Sequence, residues 1–257
     1  MHALLVALQF LTRLPLPALA LPDAATRGRA VLYYPVVGLL IGVLLATFAR
    51  LLEPAGALLA AALVLLGWVL LTGGLHLDGL ADSADAWVGG HGDRARTLAI
   101  MKDAASGPAG VSALVLVLLL KFAALATLFE RTPHWPALLL APVLGRAALV
   151  FLLWSTPYVR PGGIGAAQAA NLPRAGAVAV LLLVASALPG LYGARGAGLL
   201  ATLVVLLWAL RRLMRQRIGG ITGDTLGASC EIVEATVLVF IALAGGALPA
   251  WADAAGG

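Results

Sequence analysis

Seven stretches of the chain are apolar over close to the length of one membrane crossing: residues 31–51, 57–75, 111–129, 136–154, 176–192, 196–213 and 232–248. A helix needs about 20 apolar residues to cross a bilayer, so the pattern predicts an all-α, polytopic membrane bundle of about seven transmembrane helices. The first 20 residues are apolar as well, but Arg13 interrupts them and Pro15 and Pro17 break them. They predict an interfacial or re-entrant helix. Ala18-Leu19-Ala20 imitates a signal-peptidase site, yet no Lys or Arg precedes the apolar run, as a secretory signal requires.

Composition narrows the class further. Of 257 residues, 61% are hydrophobic and only 11% charged, against about 25% charged in an average soluble domain, which excludes an ordinary soluble protein. Seven spans use about 140 residues and leave about 117 for loops, enough for a site but not for a second domain, so residues 1–257 read as one membrane-embedded domain. The net charge of +5 is spread without the dense basic stripe that a nucleic-acid binder needs; it suits anionic lipid or an anionic substrate. The single cysteine, Cys230, excludes a disulfide framework and a multi-cysteine metal site.

Charge also sets an expected orientation. Twelve of the 17 Lys and Arg fall on one side of the bundle: Arg13, Arg27, Arg29, Arg94, Arg96, Lys102, Arg160, Arg174, Arg211, Arg212, Arg215 and Arg217. Only Arg50, Arg131 and Arg195 fall on the other, so the loops after spans two, four and six are expected in the cytoplasm. Eight of the 12 acids lie in two windows on that same side: Asp78, Asp82, Asp85, Asp93 and Asp103, then Asp224, Glu231 and Glu234.

The first window, GGLHLDGLADSADAWVGG, is bracketed by glycine pairs and predicts a short helix. Asp78, Asp82 and Asp85 stand at i, i+4 and i+7 and share one face, with Leu80, Ala84 and Trp87 opposite. Carboxylates that close repel one another unless a divalent cation neutralises them, and oxygen-only ligands suit Mg²⁺ or Mn²⁺ holding a phosphate. A solvated acidic face is the plainer alternative. Arg94, Arg96 and Lys102 follow as phosphate clamps or topology determinants, and the glycines after Asp103 would let backbone N–H groups approach an anion.

The second window, RQRIGGITGDTLGASCEIVE, joins Arg217 to the polar run Thr222-Gly223-Asp224-Thr225 and to Glu231 and Glu234. It reads as a second ligand-binding edge, although Asp224 could be a helix cap and the glutamates could complement a helix dipole. Lys121 and Arg146 fall mid-span and each needs an internal partner. His76 stands two residues before Asp78, within reach of a metal or phosphate or as an ordinary hydrogen-bonding group. No P-loop, nucleophile elbow or CxxC is present.

Taken together, FLTRLP at 10–15, PVVG at 35–38, GGLHLDGLADSAD at 73–85, IMKD at 100–103 and GGITGDTLGASCE at 219–231 resemble the cobalamin synthase (adenosylcobinamide-GDP ribazoletransferase) family of the bacterial inner membrane. The resemblance implies Mg²⁺-dependent joining of adenosylcobinamide-GDP to α-ribazole or its 5′-phosphate with release of GMP, on the cytoplasmic face, with a homo-oligomer compatible. The residues fit this chemistry with metal on Asp78, Asp82 and Asp85, catalysis by Asp82, Asp78 and Lys102, and substrate binding by Arg94, Arg217, Thr222, Gly223, Asp224, Thr225 and Glu231. The acidic run is also similar to the signature of CDP-alcohol phosphotransferases, but Asp82 stands where that signature has Arg. An intramembrane prenyltransferase would show a second Asp-rich motif. A cation transporter would use Asp78, Asp82, Lys121 and Arg146 as a relay near the bilayer midplane.

Overall fold

The structure is a computed structural model, described here for residues 2–17, 21–103, 105–130, 135–162 and 164–245; Ala18 to Ala20 lie outside the described residues. Its described elements are helical: α1 His2–Leu11, α2 Ala24–Ala30, α3 Tyr34–Leu51, α4 Ala57–Thr72, α5 Leu75–Gly89, α6 Arg94–Ile100, α7 Pro108–Phe129, α8 Trp135–Ser155, α9 Ile164–Ala170, α10 Arg174–Ile218 and α11 Gly223–Leu243. A single parallel bridge, Tyr158 to Ile221, is the only extended pairing among the described residues. The all-α membrane bundle expected from the apolar pattern is borne out, and the ten-residue apolar α1 is too short to cross.

Three expected boundaries move, each for a local reason. Five described helices are long and apolar enough to cross a membrane, six if a bent pair counts as one. That pair is α4 and α5. Gly73 and Gly74 both adopt left-handed backbone (φ 64° and 68°), ending α4 and turning the chain through 89° into α5, which therefore runs across the end of the bundle rather than through it.

The fifth and sixth expected spans form one element, α10, whose backbone leaves helical geometry at Gly193 (φ 56°, ψ −137°). Its two ends return to the same place: Arg174 donates to the Trp154 carbonyl at 3.1 Å and Arg211 to the Ser155 carbonyl at 2.8 Å. The arms therefore run antiparallel. The last helix starts at Gly223, nine residues before the expected 232, because Thr222 and Thr225 close a capping box: the Thr222 hydroxyl accepts from the Thr225 N–H, and the Thr225 hydroxyl from the Thr222 N–H.

α3 packs most extensively against α8, where Gly38 and Gly42 lie against backbone at Pro142 and Leu138. α11 is the hub of the other half, in contact with α5, α7, α8 and α10. It carries two glutamates into the core. Lys121 of α7 donates to both Glu231 and Glu234 at 2.5 Å, Arg146 of α8 pairs with Glu234, and the Lys121 ammonium lies 4.7 Å from the centre of the Trp68 ring. Two cations and two carboxylates balance, which is how charge survives burial in a bundle interior.

Candidate active site

Helix α5 crosses the start of α11 at close range. A Cβ on Gly79 would lie 2.7 Å from the Asp224 carbonyl oxygen, which leaves no room for a side chain, and one on Gly227 would lie a tight 3.1 Å from that of His76. This contact brings the two acidic windows, about 140 residues apart, to one corner. Asp78 is exposed and Asp82 half-buried on α5, facing the Asp224 carboxylate in the first turn of α11.

One cation serves that corner. Arg160, in the segment between α8 and α9, donates to the Asp224 carboxylate at 2.9 Å. Its loop is held by the short bridge to the segment before α11: the Ile221 N–H donates to the Pro157 carbonyl and the Val159 N–H to the Ile221 carbonyl, both at 2.9 Å. Burial first, then the negative charges of Asp78, Asp224 and Asp85, push the Asp82 carboxyl up to about 6, with Arg160 opposing them. The corner thus holds more negative charge than its cation offsets.

Asp85 is placed differently from its two neighbours. Its oxygens accept from the backbone N–H groups of Gly107 at 2.6 Å and Gly110 at 2.8 Å, the start of α7. The glycine turn after Asp103 does cradle an anion, and the anion is the chain's own carboxylate. Among the described residues no three His, Cys, Asp or Glu side chains gather as a metal-ligand set, so the expected Asp78, Asp82 and Asp85 cage is not assembled.

The donor chemistry nonetheless fits Mg²⁺. Hard carboxylates from two helices with unbalanced charge match an ion that takes one or two protein carboxylates and completes its shell with phosphate oxygens and water. Asp78 of α5 and Asp224 of α11 are the two residues that would hold it.

The remaining expected site residues separate into those at the corner and those beside it. Thr222, Gly223 and Thr225 are at the corner, but both threonine hydroxyls are engaged in the capping box. Glu231 is not on the ligand-binding edge. It lies two turns into α11, buried against Lys121, and neither glutamate opens the helix to complement its dipole. Arg217 donates to the Trp87 carbonyl at 2.6 Å and so caps the far end of α5, while the Arg94 guanidinium lies over Gly219, 3.3 Å from where a Cβ would be. Lys102 is exposed in the turn after α6, with no ion pair to Asp78 or Asp82 among the described residues.

His76 is buried, its Nδ1 3.5 Å from Arg146 in the interior rather than beside the aspartates. The relay that a transporter would need is broken up: Lys121 and Arg146 are matched to Glu231 and Glu234, not to Asp78 and Asp82.

Two cations at this end of the bundle carried no site expectation from the sequence. Arg160 is one. Arg13 is the other: its N–H donates to the Leu71 carbonyl at 2.7 Å and its side chain covers Gly73 at the α4–α5 turn. The FLTRLP segment thereby packs on the turn from which α5 starts.

A family model described as cobalamin-5-phosphate synthase matches residues 3–242, from α1 to the end of α11. The chain belongs to the cobalamin-5-phosphate synthase family. Relatives named adenosylcobinamide-GDP ribazoletransferase include those of Stutzerimonas stutzeri, 56% identical over 95% of this chain and 98% of the relative, and Pseudomonas entomophila, 57% identical over 93% and 97%. A third, from Pseudomonas putida strain W619, is 57% identical over 93% of this chain and 98% of its own length. No solved structure matches. Membership in this synthase family makes the chain a transferase, and the resemblance carried by the motifs at 73–85 and 219–231 is borne out.

Proposed function

We propose that the chain joins adenosylcobinamide-GDP to α-ribazole or α-ribazole 5′-phosphate at the corner between α5 and α11, releasing GMP and giving adenosylcobalamin or its phosphate. The observation that supports this most is the meeting of Asp78, Asp82 and Asp224 with Arg160 at one exposed corner, in a chain of this family.

Because GMP leaves with one phosphate, the ribose hydroxyl of the acceptor attacks the phosphorus bonded to the cobinamide. A new oxygen–phosphorus bond forms as the bond to the GMP oxygen breaks, and GMP departs with that electron pair. The Asp82 carboxylate takes the proton of the attacking hydroxyl; a carboxylate raised to about 6 accepts it better than an ordinary one. Arg160 faces the charge that grows on departing GMP. Asp78 and Asp224 would hold Mg²⁺, which would supply charge neutralisation to the pyrophosphate and leave Asp82 free to take the proton.

The reaction faces the cytoplasm of a bacterial inner membrane. Arg94, Arg160, Arg174, Arg211 and Arg217 all gather at the end of the bundle that carries the acidic corner, and clustered arginines stay on the cytoplasmic side. The test is product identification. Vesicles containing the protein, given both substrates and Mg²⁺, yield GMP and a corrinoid carrying the ribazole in equal amounts, and omission of either substrate abolishes both products. GMP formed without the acceptor would make the chain a hydrolase instead.

A further inference from the structure

A basin of about 590 Å³ opens beside the acidic corner, between the end of α8, the 156–161 segment, α9 and the start of α10. Its volume lies in the range of about 300–1,000 Å³ typical of small-ligand sites. Arg160 belongs to both places: it lines the basin and its guanidinium holds Asp224. Arg174 lines it as well, held by a hydrogen bond to the Trp154 carbonyl and exposed. The half-buried Trp154 and Tyr158 line the same basin, and the Tyr158 ring is backed by the Gly165 backbone of α9.

Two guanidiniums and two aromatic rings around one basin match a planar base carrying a phosphate. We infer that this basin holds the guanosine monophosphate part of the donor, with its phosphate on Arg160 and its nucleoside between Trp154, Tyr158 and Arg174; the inference rests on the transferase reading above. Charge decides between donor and acceptor. The departing nucleotide gains negative charge at the phosphate next to the reacting phosphorus, so it needs a cation in contact with the corner. The acceptor presents a neutral hydroxyl there and needs a base. Arg160 meets the first requirement.

The test uses Arg174, whose side chain is exposed and whose replacement leaves the acidic corner intact. Arg174→Ala, with Arg174→Gln as a second variant, is compared with wild type by equilibrium dialysis of labelled GMP and by steady-state kinetics in vesicles. Loss of its hydrogen bonds to the nucleotide raises the GMP dissociation constant and the KM for adenosylcobinamide-GDP about tenfold, while kcat and the KM for α-ribazole 5′-phosphate stay within about threefold. Arg174→Lys recovers part of the loss. Unchanged GMP binding in both variants overturns the inference, and a KM increase confined to the ribazole substrate assigns the basin to the acceptor instead. Absence of GMP release by wild type sinks the transferase reading, whereas dialysis still reads the basin.

Discussion

Removing the Lys121 ammonium should destabilise the bundle more than any single truncation on its surface. Lys121 is 2% exposed and Glu234 fully buried, with both glutamate contacts at 2.5 Å. In Lys121→Met, Glu231 and Glu234 face Arg146 alone, leaving one uncompensated buried negative charge. Breaking a buried pair in this way costs about 3–5 kcal/mol. In Lys121→Met with Glu231→Gln, one cation and one carboxylate leave together, the Arg146–Glu234 pair stays balanced, and the cost should fall to about 1 kcal/mol.

The second substitution should therefore recover about 2–4 kcal/mol of what the first costs, whereas a change at an independent site would recover nothing. At about 2–4 °C per kcal/mol for a chain of this size, the single variant should melt about 10 °C below wild type and the double variant within a few degrees of it. Tryptophan fluorescence of detergent-solubilised protein follows the melt. A double variant that melts no higher than Lys121→Met would refute the charge-balance argument, because it would mean that the glutamates do not depend on the ammonium.

Asp85→Ala should lower stability by about 2–3 kcal/mol in the same melt, since it removes the acceptor of two N–H groups at the start of α7. Gly79→Ala should lower turnover at least tenfold, because its methyl would press on the Asp224 carbonyl 2.7 Å away and wedge α5 off α11; wild-type kinetics would show the contact to be slack. The pH profile carries a sign: the Asp82 carboxylate is the active form and sits at about 6, so kcat/KM should fall as pH drops through about 6. Asp78→Asn removes a neighbour that raises it, and the midpoint should move to lower pH; a midpoint that moves up would assign the titration to another group.

What the sequence made legible was local. Glycine pairs marked the ends of α5, and the i, i+4 spacing of Asp78 and Asp82 put them on one face. Threonines at 222 and 225 held a cap signature, although reading the polar run as a loop placed the start of the last helix nine residues late. What stayed hidden depended on partners far along the chain. Asp85 looks like its neighbours until Gly107 and Gly110 arrive 22 and 25 residues later. Arg160 meets Asp224 across 64 residues, and only the packing of α7 and α8 on α11 shows that Lys121 and Arg146 satisfy Glu231 and Glu234. The fold-back at Gly193 was hidden for the opposite reason: two apolar stretches with a short break read as two spans whether or not their helix is continuous.

The acidic corner is the centre of this account, and Asp82→Asn examines it with one oxygen changed to nitrogen. GMP release from adenosylcobinamide-GDP and α-ribazole 5′-phosphate is followed in vesicles at pH 8, where the carboxylate is ionised, with and without EDTA, beside a melt of the same preparation. Wild type should show Mg²⁺-dependent release, and Asp82→Asn at least a hundredfold loss as befits a group that moves a proton, with a melting temperature no lower than that of wild type because the ionised Asp82 is disfavoured by burial and by its acidic neighbours. A folded Asp82→Asn protein that releases GMP at the wild-type rate would contradict it and move the chemistry away from the meeting of α5 and α11.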